Sequence, residues 1–284
     1  MKVVITPNPY RDKQLSCAKE AQEVLCRAGV EASICLAFEV DKEFSLPSDV
    51  ELKDLNRELK NSDMLICFGG DGTLLHASKA ATYHNIPVLG VNIGTMGFMA
   101  ELESTEINQL AAIAKRDYSL EERMMLSVSV IRDGAEVLHE CALNDAAITK
   151  GAVARVIQMA IYCDGAEAIS FSGDGVLVCT PTGSTGYSMS AGGPIVEPVA
   201  ENIIITPVCA HTMQARPIVT AGSRTIEVKI GRIGRKNAFL SVDGGRAFRL
   251  NAGDTICVTK AKYKTKLVKL ANKSFFEILY KKLK

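Results

Sequence analysis

The first part of the chain alternates short apolar runs with longer amphipathic stretches. Residues 64–68 and 88–91 carry no polar side chain, which is typical of strands buried on both faces. Nearer the amino terminus, residues 15–28 place apolar side chains at helical spacing, and Gly29 follows as a candidate C-terminal cap. The alternation predicts βα units on a mostly parallel sheet, and therefore an α/β domain over residues 1–122.

Beyond residue 122, β-branched residues recur at short intervals and Asp-Gly pairs separate the runs. Asp-Gly is typical of two-residue hairpin turns, and the clearest predicted hairpin joins segments 125–131 and 136–143. The other predicted features are strands at 203–205, 225–230 and 238–242 and Asp-Gly turns at 133–134, 164–165, 174–175 and 243–244. This pattern predicts a β-rich, β-sandwich-like domain over residues 123–270.

Residues 271–284 form a third segment. Its apolar side chains recur at helical spacing from about Asn272 to Lys282. We expect a C-terminal helix that packs against one of the two domains, with the first domain as the candidate.

The composition excludes several classes of function. The chain has 284 residues, 47% of them hydrophobic, and a formal net charge of +1 without the basic block that a general nucleic-acid binder needs. It has no run of 18 consecutive apolar residues that would predict a membrane-spanning helix. Nine cysteines without a Cys-x-x-Cys pair fit buried free thiols in a reducing compartment. We therefore expect a cytoplasmic protein with neither nucleic-acid nor membrane partners.

A glycine-rich turn follows the strand predicted at 64–68. It consists of Gly69, Gly70, Asp71, Gly72 and Thr73. Glycines allow backbone N–H groups to approach a phosphate closely, and the N-terminus of the following helix adds a favourable dipole. Asp71 admits two interpretations: it binds a cation or accepts a proton from an attacking hydroxyl, or it caps the helix.

Two further polar segments are candidates for binding a nucleotide. Residues 179–188 contain six hydroxyl side chains and two glycines where a strand is predicted to end and a helix to begin. Such density suits contacts with ribose, phosphate and base edges, although a Ser/Thr-rich turn with a helix cap has the same composition. Asn144 and Asp145 end a predicted apolar strand, where they either bind sugar hydroxyls or form a turn.

In this order and at these separations, the three segments resemble the NAD kinase family nearly from end to end. That family transfers a phosphoryl group from a nucleoside triphosphate to the 2′-hydroxyl of the adenosine ribose of NAD. The glycine-rich turn is shared with lipid kinases and phosphofructokinases, so residues 180–185 together with Asn144 and Asp145 are the specific part. The resemblance implies an enzyme that uses Mg²⁺, ATP and NAD and forms NADP, with inorganic polyphosphate open as another donor.

The resemblance also implies roles for individual residues. Asp71 is implied as the general base toward the 2′-hydroxyl, and the rest of the turn, from Gly69 to Thr73, as the contact for phosphates. Phe98 is implied to line the adenosine pocket. The other residues implied in NAD binding are Asn144, Asp145, Asp174, Thr182, Thr185, Gly186, Tyr187 and Ser190. No protein side chain is implied as a metal ligand, since Mg²⁺ would be held mainly by the phosphates.

Three positions depart from the family pattern. Ser172 stands where many members carry Arg, Gly186 stands where Ala is commoner, and Gly245 replaces a Gln. The first departure puts an arginine contact at that point in doubt. The resemblance further implies a homo-oligomer, either a dimer or a tetramer.

Two other functions stay open from the sequence. A lipid kinase of the diacylglycerol type would share the glycine-rich turn and a β-rich second domain, although the polar residues 180–188 suit an acyl chain poorly. A non-catalytic NAD-binding sensor would keep the pocket but would not need Asp71. The presence of an Asp in the turn favours catalysis.

Overall fold

The computed structural model describes residues 1–37, 40–41, 46–94, 97–151, 155–231, 237–270 and 274–284. The chain divides into two compact units, one of Met1–Glu122 with Thr265–Lys284 and the other of Arg123–Lys264. The limits inferred from the sequence, 1–122, 123–270 and 271–284, stay a prediction of where separate domains begin and end.

The first unit is built on a parallel sheet. Its strands are β1 (Lys2–Pro7), β2 (Glu31–Cys35), β3 (Leu52–Lys53), β4 (Met64–Gly69), β5 (Val88–Asn92) and β6 (Leu102–Glu103). They lie in the order β6-β5-β4-β1-β2-β3, and every neighbouring pair is parallel. All residues of β4 and β5 are buried, as their apolar sequences predict. The parallel order brings the carboxyl ends of β1, β4 and β5 to one edge of the sheet.

Helices connect these strands. The helices between its strands are α1 (Ser16–Arg27), α2 (Leu55–Leu59) and α3 (Asp71–Tyr83), with 3₁₀ segments at Lys13–Leu15 and Ser104–Lys115. Helix α1 buries Ala18 and Leu25 in the core beside the sheet, as their spacing predicts. It begins at Ser16, one residue later than predicted, because Leu15 has a left-handed backbone with φ of 53°. Gly29, with φ of 80°, follows the helix in the conformation expected of its C-terminal cap.

The second unit consists of antiparallel strands in two sheets. Its elements are β7 (Ser119–Arg132), β8 (Ala135–Ala142), β9 (Asp145–Lys150), β10 (Ile157–Cys163), β11 (Ala166–Gly173), β12 (Gly175–Cys179), a 3₁₀ segment (Thr182–Thr185), α4 (Tyr187–Ser190), β13 (Asn202–Val208), β14 (Ile218–Ala221), β15 (Ile226–Ile230), β16 (Ala238–Val242), β17 (Phe248–Leu250) and β18 (Thr255–Lys269). One sheet has the order β11-β10-β15-β18, with β7 beside β18 and β8 beside β7. The other has the order β14-β13-β12-β9-β16-β17.

Side chains from both of these sheets form a single buried core. Leu126 and Val228 enter it from the first sheet, and Ile148 and Val178 enter it from the second. Two antiparallel sheets around a shared core make a β-sandwich. The predicted α/β domain followed by a β-sandwich-like domain is therefore confirmed.

Three of the four predicted Asp-Gly turns connect antiparallel strands. Asp133, Asp164 and Asp243 have left-handed backbones with φ of 51°, 50° and 51°, and each is followed by a left-handed glycine. The prediction for Asp174 and Gly175 is wrong. Their backbone is not left-handed, and the chain passes there from β11 in one sheet to β12 in the other instead of forming a hairpin.

The last helix, α5 (Phe275–Leu283), begins later than the predicted start near Asn272, and residues 271–273 lie outside the described part of the chain. Ser274 and Glu277 form a reciprocal capping box at its start. None of the residues of α5 is fully buried. Within the described ranges, no helix has both the length and the hydropathy that are needed to cross a membrane.

Candidate functional site

The glycine-rich turn lies where β4 ends and α3 begins, at the carboxyl edge of the parallel sheet. Gly69 is the last residue of β4, Gly70 is the N-terminal cap of α3, and Asp71 and Gly72 are the first two residues of that helix. The first N–H groups of a helix have no acceptor within the helix, and the helix dipole makes this end positive. The turn therefore has the backbone geometry that suits a phosphate.

The Asp71 carboxylate is bound to the chain that follows β5. Its two oxygens accept hydrogen bonds from the backbone N–H of Phe98, at 2.8 Å, and of Met99, at 3.2 Å. The alternative in which Asp71 caps α3 is wrong, because Gly70 occupies the cap position and no side chain caps the helix there. Two backbone donors instead hold the carboxylate in one orientation, while lone pairs of both oxygens stay available.

Gly97 makes this arrangement possible. A Cβ atom at position 97 would collide with the carboxylate of Asp71. The backbone at this point must therefore lack a side chain if Asp71 is to reach the N–H groups of the next two residues. The sequence does not indicate this contact, because Gly97 and Asp71 lie far apart along the chain.

The ring of Phe98 is contacted by the C-terminal helix. Its centroid lies 6.5 Å from that of the Phe275 ring, and Lys282 Nζ lies 4.4 Å from the Phe98 centroid. The second contact has the geometry of a cation–π interaction. Helix α5 therefore packs on the residue that the family resemblance places in the adenosine pocket.

In the second unit, Asn144 lies between two strands and Asp145 is the first residue of the second of them. The sequence suggested that they end one strand, whereas β8 ends at Ala142 and Asp145 begins β9. The cause is the carboxylate of Asp243, which accepts N–H bonds from Leu143 at 2.7 Å, Asn144 at 2.7 Å and Asp145 at 3.0 Å. Three donors that converge on one carboxylate fix the backbone of this pair.

Each side chain of this pair offers a buried hydrogen-bond acceptor. Burial raises the pKa of Asp145 to about 7, and the negative charge of Asp243 acts in the same direction. The Oδ1 atom of Asn144 is buried and has no hydrogen-bond partner among the residues that the structure describes. A buried acceptor without a partner is costly, and a hydroxyl donor would satisfy it.

The hydroxyl-rich residues 179–188 contain two kinds of side chain. The hydroxyls of Thr180, Ser184 and Ser188 are buried and bonded to neighbouring segments of the same unit, so they serve the fold. To that extent the interpretation as a Ser/Thr-rich turn is correct. Thr182 is also buried, but its partner is a cation, because its hydroxyl accepts a bond of 3.3 Å from Arg123 Nη1. No motif in the sequence indicates that contact.

This hydroxyl-rich segment packs directly on Asn144. The backbone N–H of Thr180 donates to the Asn144 carbonyl at 2.9 Å. A Cβ atom on Gly183 would collide with the Asn144 backbone, and one on Gly186 would lie 3.5 Å from Asn144 Nδ2. The structure thus brings the second and third candidate segments together in one place.

The other residues implied in NAD binding have different surroundings. Tyr187 is 47% exposed and Ser190 is also exposed. The Thr185 hydroxyl donates to the carbonyl of Thr182 at 3.2 Å. Asp174 forms an ion pair of 2.8 Å with Lys150 Nζ.

Comparison with known proteins identifies the family. The model of the ATP-NAD kinase N-terminal domain matches residues 3–118, and that of the ATP-NAD kinase C-terminal domain matches residues 143–270. An NAD kinase of Acetivibrio thermocellus is 34% identical over 287 aligned residues, which cover 100% of this chain and 97% of that protein. The chain belongs to the NAD kinase family. The resemblance inferred from its motifs is confirmed.

Other NAD kinases are similar in sequence or in structure. One from Natranaerobius thermophilus is 43% identical over 223 residues, or 78% of each chain. The crystal structure of yeast NADH kinase complexed with NADH matches with a TM-score of 0.83 and 27% identity, over 99% of this chain and 85% of that one. An NAD kinase from Archaeoglobus fulgidus in complex with ATP matches with a TM-score of 0.74 and 27% identity, over 100% and 98%.

Proposed function

We propose that this protein is an NAD kinase that transfers the terminal phosphoryl group of ATP to the 2′-hydroxyl of the adenosine ribose of NAD and forms NADP. Its membership of the NAD kinase family supports this reaction in preference to lipid phosphorylation or to binding alone. The observation that carries the proposal is the Asp71 carboxylate, which two backbone N–H groups orient at the start of α3. A non-catalytic sensor has no need of an oriented carboxylate beside a phosphate site.

The reaction assigns separate roles to the residues of the turn. The backbone of Gly69, Gly70 and Gly72, with Thr73 and the N-terminus of α3, holds phosphate groups. Asp71 orients the 2′-hydroxyl and accepts its proton while the hydroxyl oxygen forms a bond to the γ-phosphorus. The bond between that phosphorus and the bridging oxygen breaks, and ADP leaves. Because such transition states are loose, orientation by Asp71 counts as much as its basicity.

The remaining predicted residues bind NAD in this proposal. Asn144 Oδ1 and the Asp145 carboxylate are the acceptors for ribose hydroxyls. This role is supported by the burial of Asp145 and by Asn144 Oδ1, which has no hydrogen-bond partner in the described part of the chain. Phe98 contributes an aromatic face for adenosine. The residues proposed to complete NAD binding are Asp174, Thr182, Thr185, Gly186, Tyr187 and Ser190.

Mg²⁺ fits this site as an ion that arrives with the triphosphate. Mg²⁺ binds phosphate oxygens together with one or two carboxylates and several waters, and Asp71 supplies a carboxylate beside the phosphate turn. When bound, the ion neutralises phosphate charge. We also propose a cytoplasmic homo-oligomer, a dimer or tetramer, which the nine free cysteines and the family resemblance support.

The test is phosphorylation by the purified protein with ATP and Mg²⁺ against a panel of acceptors. The panel contains NAD, NADH and vesicles that include diacylglycerol, and a parallel reaction replaces ATP with inorganic polyphosphate. We expect a phosphorylated dinucleotide and no phosphorylated lipid. Phosphorylation of the lipid, or measurable NAD binding without turnover on any donor, would contradict the proposal.

The affinity for NAD is expected to rise with pH. Ribose hydroxyls donate to the ionised form of Asp145, whose pKa is about 7, so protonation competes with binding. Linkage with this pKa predicts that the Kd for NAD is about tenfold lower at pH 8 than at pH 6. Titration calorimetry with NAD alone measures it. Asp145→Asn should bind weakly with a flat profile, and an equal pH dependence in that variant would refute the assignment.

A further inference from the structure

A second segment lies beside the glycine-rich turn. Strand β1 is the neighbour of β4, and Pro7 at its carboxyl end pairs with Phe68. The chain then stays close to the turn, since Asn8 N donates to the Phe68 carbonyl at 2.7 Å and Asn8 Nδ2 donates to Thr73 Oγ1 at 2.9 Å. We call residues 8–12, which follow β1, the β1 loop.

The β1 loop is held firmly at both ends. Its N-terminal end is bonded through Asn8, as above. At its C-terminal end, Asp12 accepts backbone N–H bonds from Cys17 at 2.9 Å and Ala18 at 3.0 Å, which ties the loop to the start of α1. Arg11 N donates to the Asn8 carbonyl at 3.0 Å. The backbone of Arg11 is therefore fixed relative to the glycine-rich turn.

The guanidinium of Arg11 lies against two glycines that follow neighbouring strands. A Cβ atom on Gly70 would stand 2.9 Å from Arg11 Nη1, and one on Gly94 would stand 3.6 Å from it. The same nitrogen is 3.4 Å from the Ile93 carbonyl. One cation thus touches both the turn after β4 and the chain after β5.

Arg11 carries an exposed positive charge. The residue is exposed, and no carboxylate in the described part of the chain forms an ion pair with it. By contrast, Arg132 pairs with Asp254 and Arg224 pairs with Asp164, each at 2.7 Å. A guanidinium has five N–H donors in a planar fork that matches phosphate oxygens. Within the described part of the chain, the guanidinium of Arg11 donates through Nη1 to the Ile93 carbonyl.

We propose that Arg11 binds the terminal phosphates of the nucleoside triphosphate at the glycine-rich turn, as a donor-binding residue that no motif indicates. This inference rests on the proposed function, because it assigns a role within the same phosphoryl transfer. The turn supplies N–H groups but no full positive charge of its own. Arg11 supplies that charge, stays protonated throughout, and neutralises the oxygens that gain charge as the bond to the leaving ADP breaks.

The test uses three variants of the full chain. Arg11→Gln removes the charge but can keep a bond to the Ile93 carbonyl. Arg11→Lys keeps the charge without the planar fork. Lys13→Gln is the control, because it removes an exposed cation from the 3₁₀ segment that follows the β1 loop. Titration calorimetry with adenosine 5′-(β,γ-imido)triphosphate and Mg²⁺ gives the affinity for the donor. A matched titration with NAD gives that for the acceptor, and thermal melting reports folding.

We expect Arg11→Gln to weaken binding of the triphosphate about tenfold to a hundredfold, as loss of a charge-assisted hydrogen bond predicts. The Kd for NAD and the melting temperature should stay at parental values, Arg11→Lys should recover part of the loss, and Lys13→Gln should match the parent. In turnover, the KM for ATP should rise and kcat should fall, with the KM for NAD unchanged.

Three outcomes would overturn the inference. The first is parental affinity for the triphosphate in Arg11→Gln. The second is an equal loss of affinity for the triphosphate and for NAD in both Arg11 variants. The third is a parent protein that binds no triphosphate. Because calorimetry measures binding without turnover, it distinguishes failure of this inference from failure of the proposed function. A parent that binds the triphosphate through Arg11 but forms no NADP would contradict the reaction and leave the role of Arg11 supported.

Discussion

Asp71→Asn is expected to lower kcat by about 100-fold to 10,000-fold, which is the range for loss of a positioned general base. The Kd for NAD should stay close to the parental value. Asn is nearly the same size as Asp and can still accept the N–H bond from Phe98 through its amide oxygen, so the turn should keep its shape. What it loses is the longer bond from the Met99 N–H and the capacity to accept a proton from the 2′-hydroxyl.

Single-turnover rates measured beside NAD calorimetry check this prediction. A parental rate in Asp71→Asn would remove Asp71 from the mechanism. Loss of NAD binding together with turnover would instead make Asp71 a binding residue. Melting temperatures of parent and variant exclude loss of the fold as the cause.

Gly97→Ala tests the same site without changing any functional group. The added methyl group would collide with the Asp71 carboxylate and displace it from the N–H groups of Phe98 and Met99. Activity should therefore fall by at least about tenfold, because a small misplacement of a reacting group is costly. Full activity in this variant would show that the orientation of Asp71 does not matter.

The second large effect is expected at Asp243. Asp243→Ala removes the carboxylate that accepts hydrogen bonds from the backbone N–H groups of Leu143, Asn144 and Asp145. Each unsatisfied buried donor costs about 1–3 kcal/mol, so the free energy of unfolding should fall by about 3 kcal/mol or more. NAD binding should be lost as well, because Asn144 and Asp145 no longer have a fixed backbone. Urea unfolding and NAD calorimetry measure the two effects.

Asp133→Ala is the matched control for this experiment. Asp133 and Asp243 both have φ of 51° and both precede a left-handed glycine. Alanine at either position therefore carries the same backbone strain, about 1–2 kcal/mol. Asp133→Ala should show that strain alone and keep parental NAD affinity. If the two variants were equally destabilised and bound NAD equally, the bonds to Asp243 would have no special role.

Asp243→Asn separates charge from geometry. Asn tolerates a left-handed backbone and keeps one acceptor oxygen, so the loss of stability should be smaller than with Ala. Without the negative charge of Asp243, the pKa of Asp145 should fall, although burial, the larger cause, keeps it above its usual range. The pH at which NAD affinity reaches its maximum should therefore shift downward. An unchanged pH profile would contradict this coupling.

The core elements could be predicted because their sequences satisfy local rules. Strand β4 is buried along its whole length and carries no polar side chain, and β16 occupies the predicted residues 238–242. The Asp-Gly pairs at 133, 164 and 243 mark turns because Asp and Gly tolerate left-handed backbone. The same rule gave a wrong prediction at Asp174. There the chain passes from one sheet to the other, so tertiary structure and not the local sequence determines the backbone conformation.

The candidate site could be predicted only in outline. The motifs indicated Asp71 as a candidate base and Asn144 and Asp145 as candidate acceptors, but they did not indicate the groups that hold these residues. Asp243 lies 99 residues from Asn144, and Arg11 lies in a different loop from the turn it touches. Such contacts follow from the order of the strands and leave no pattern in the sequence near either residue. Likewise, the structural roles of Thr180, Ser184 and Ser188 follow from hydrogen-bond partners that the local sequence does not show.

The most direct test of the central claim is the identity of the product made by the purified parent protein from NAD, ATP and Mg²⁺. Phosphorus NMR and mass spectrometry of the dinucleotide locate the new phosphate. We predict NADP, with the phosphate on the 2′-oxygen of the adenosine ribose and ADP formed in equal amount. Phosphate on another hydroxyl, or hydrolysis of ATP without any phosphorylated dinucleotide, would contradict the account.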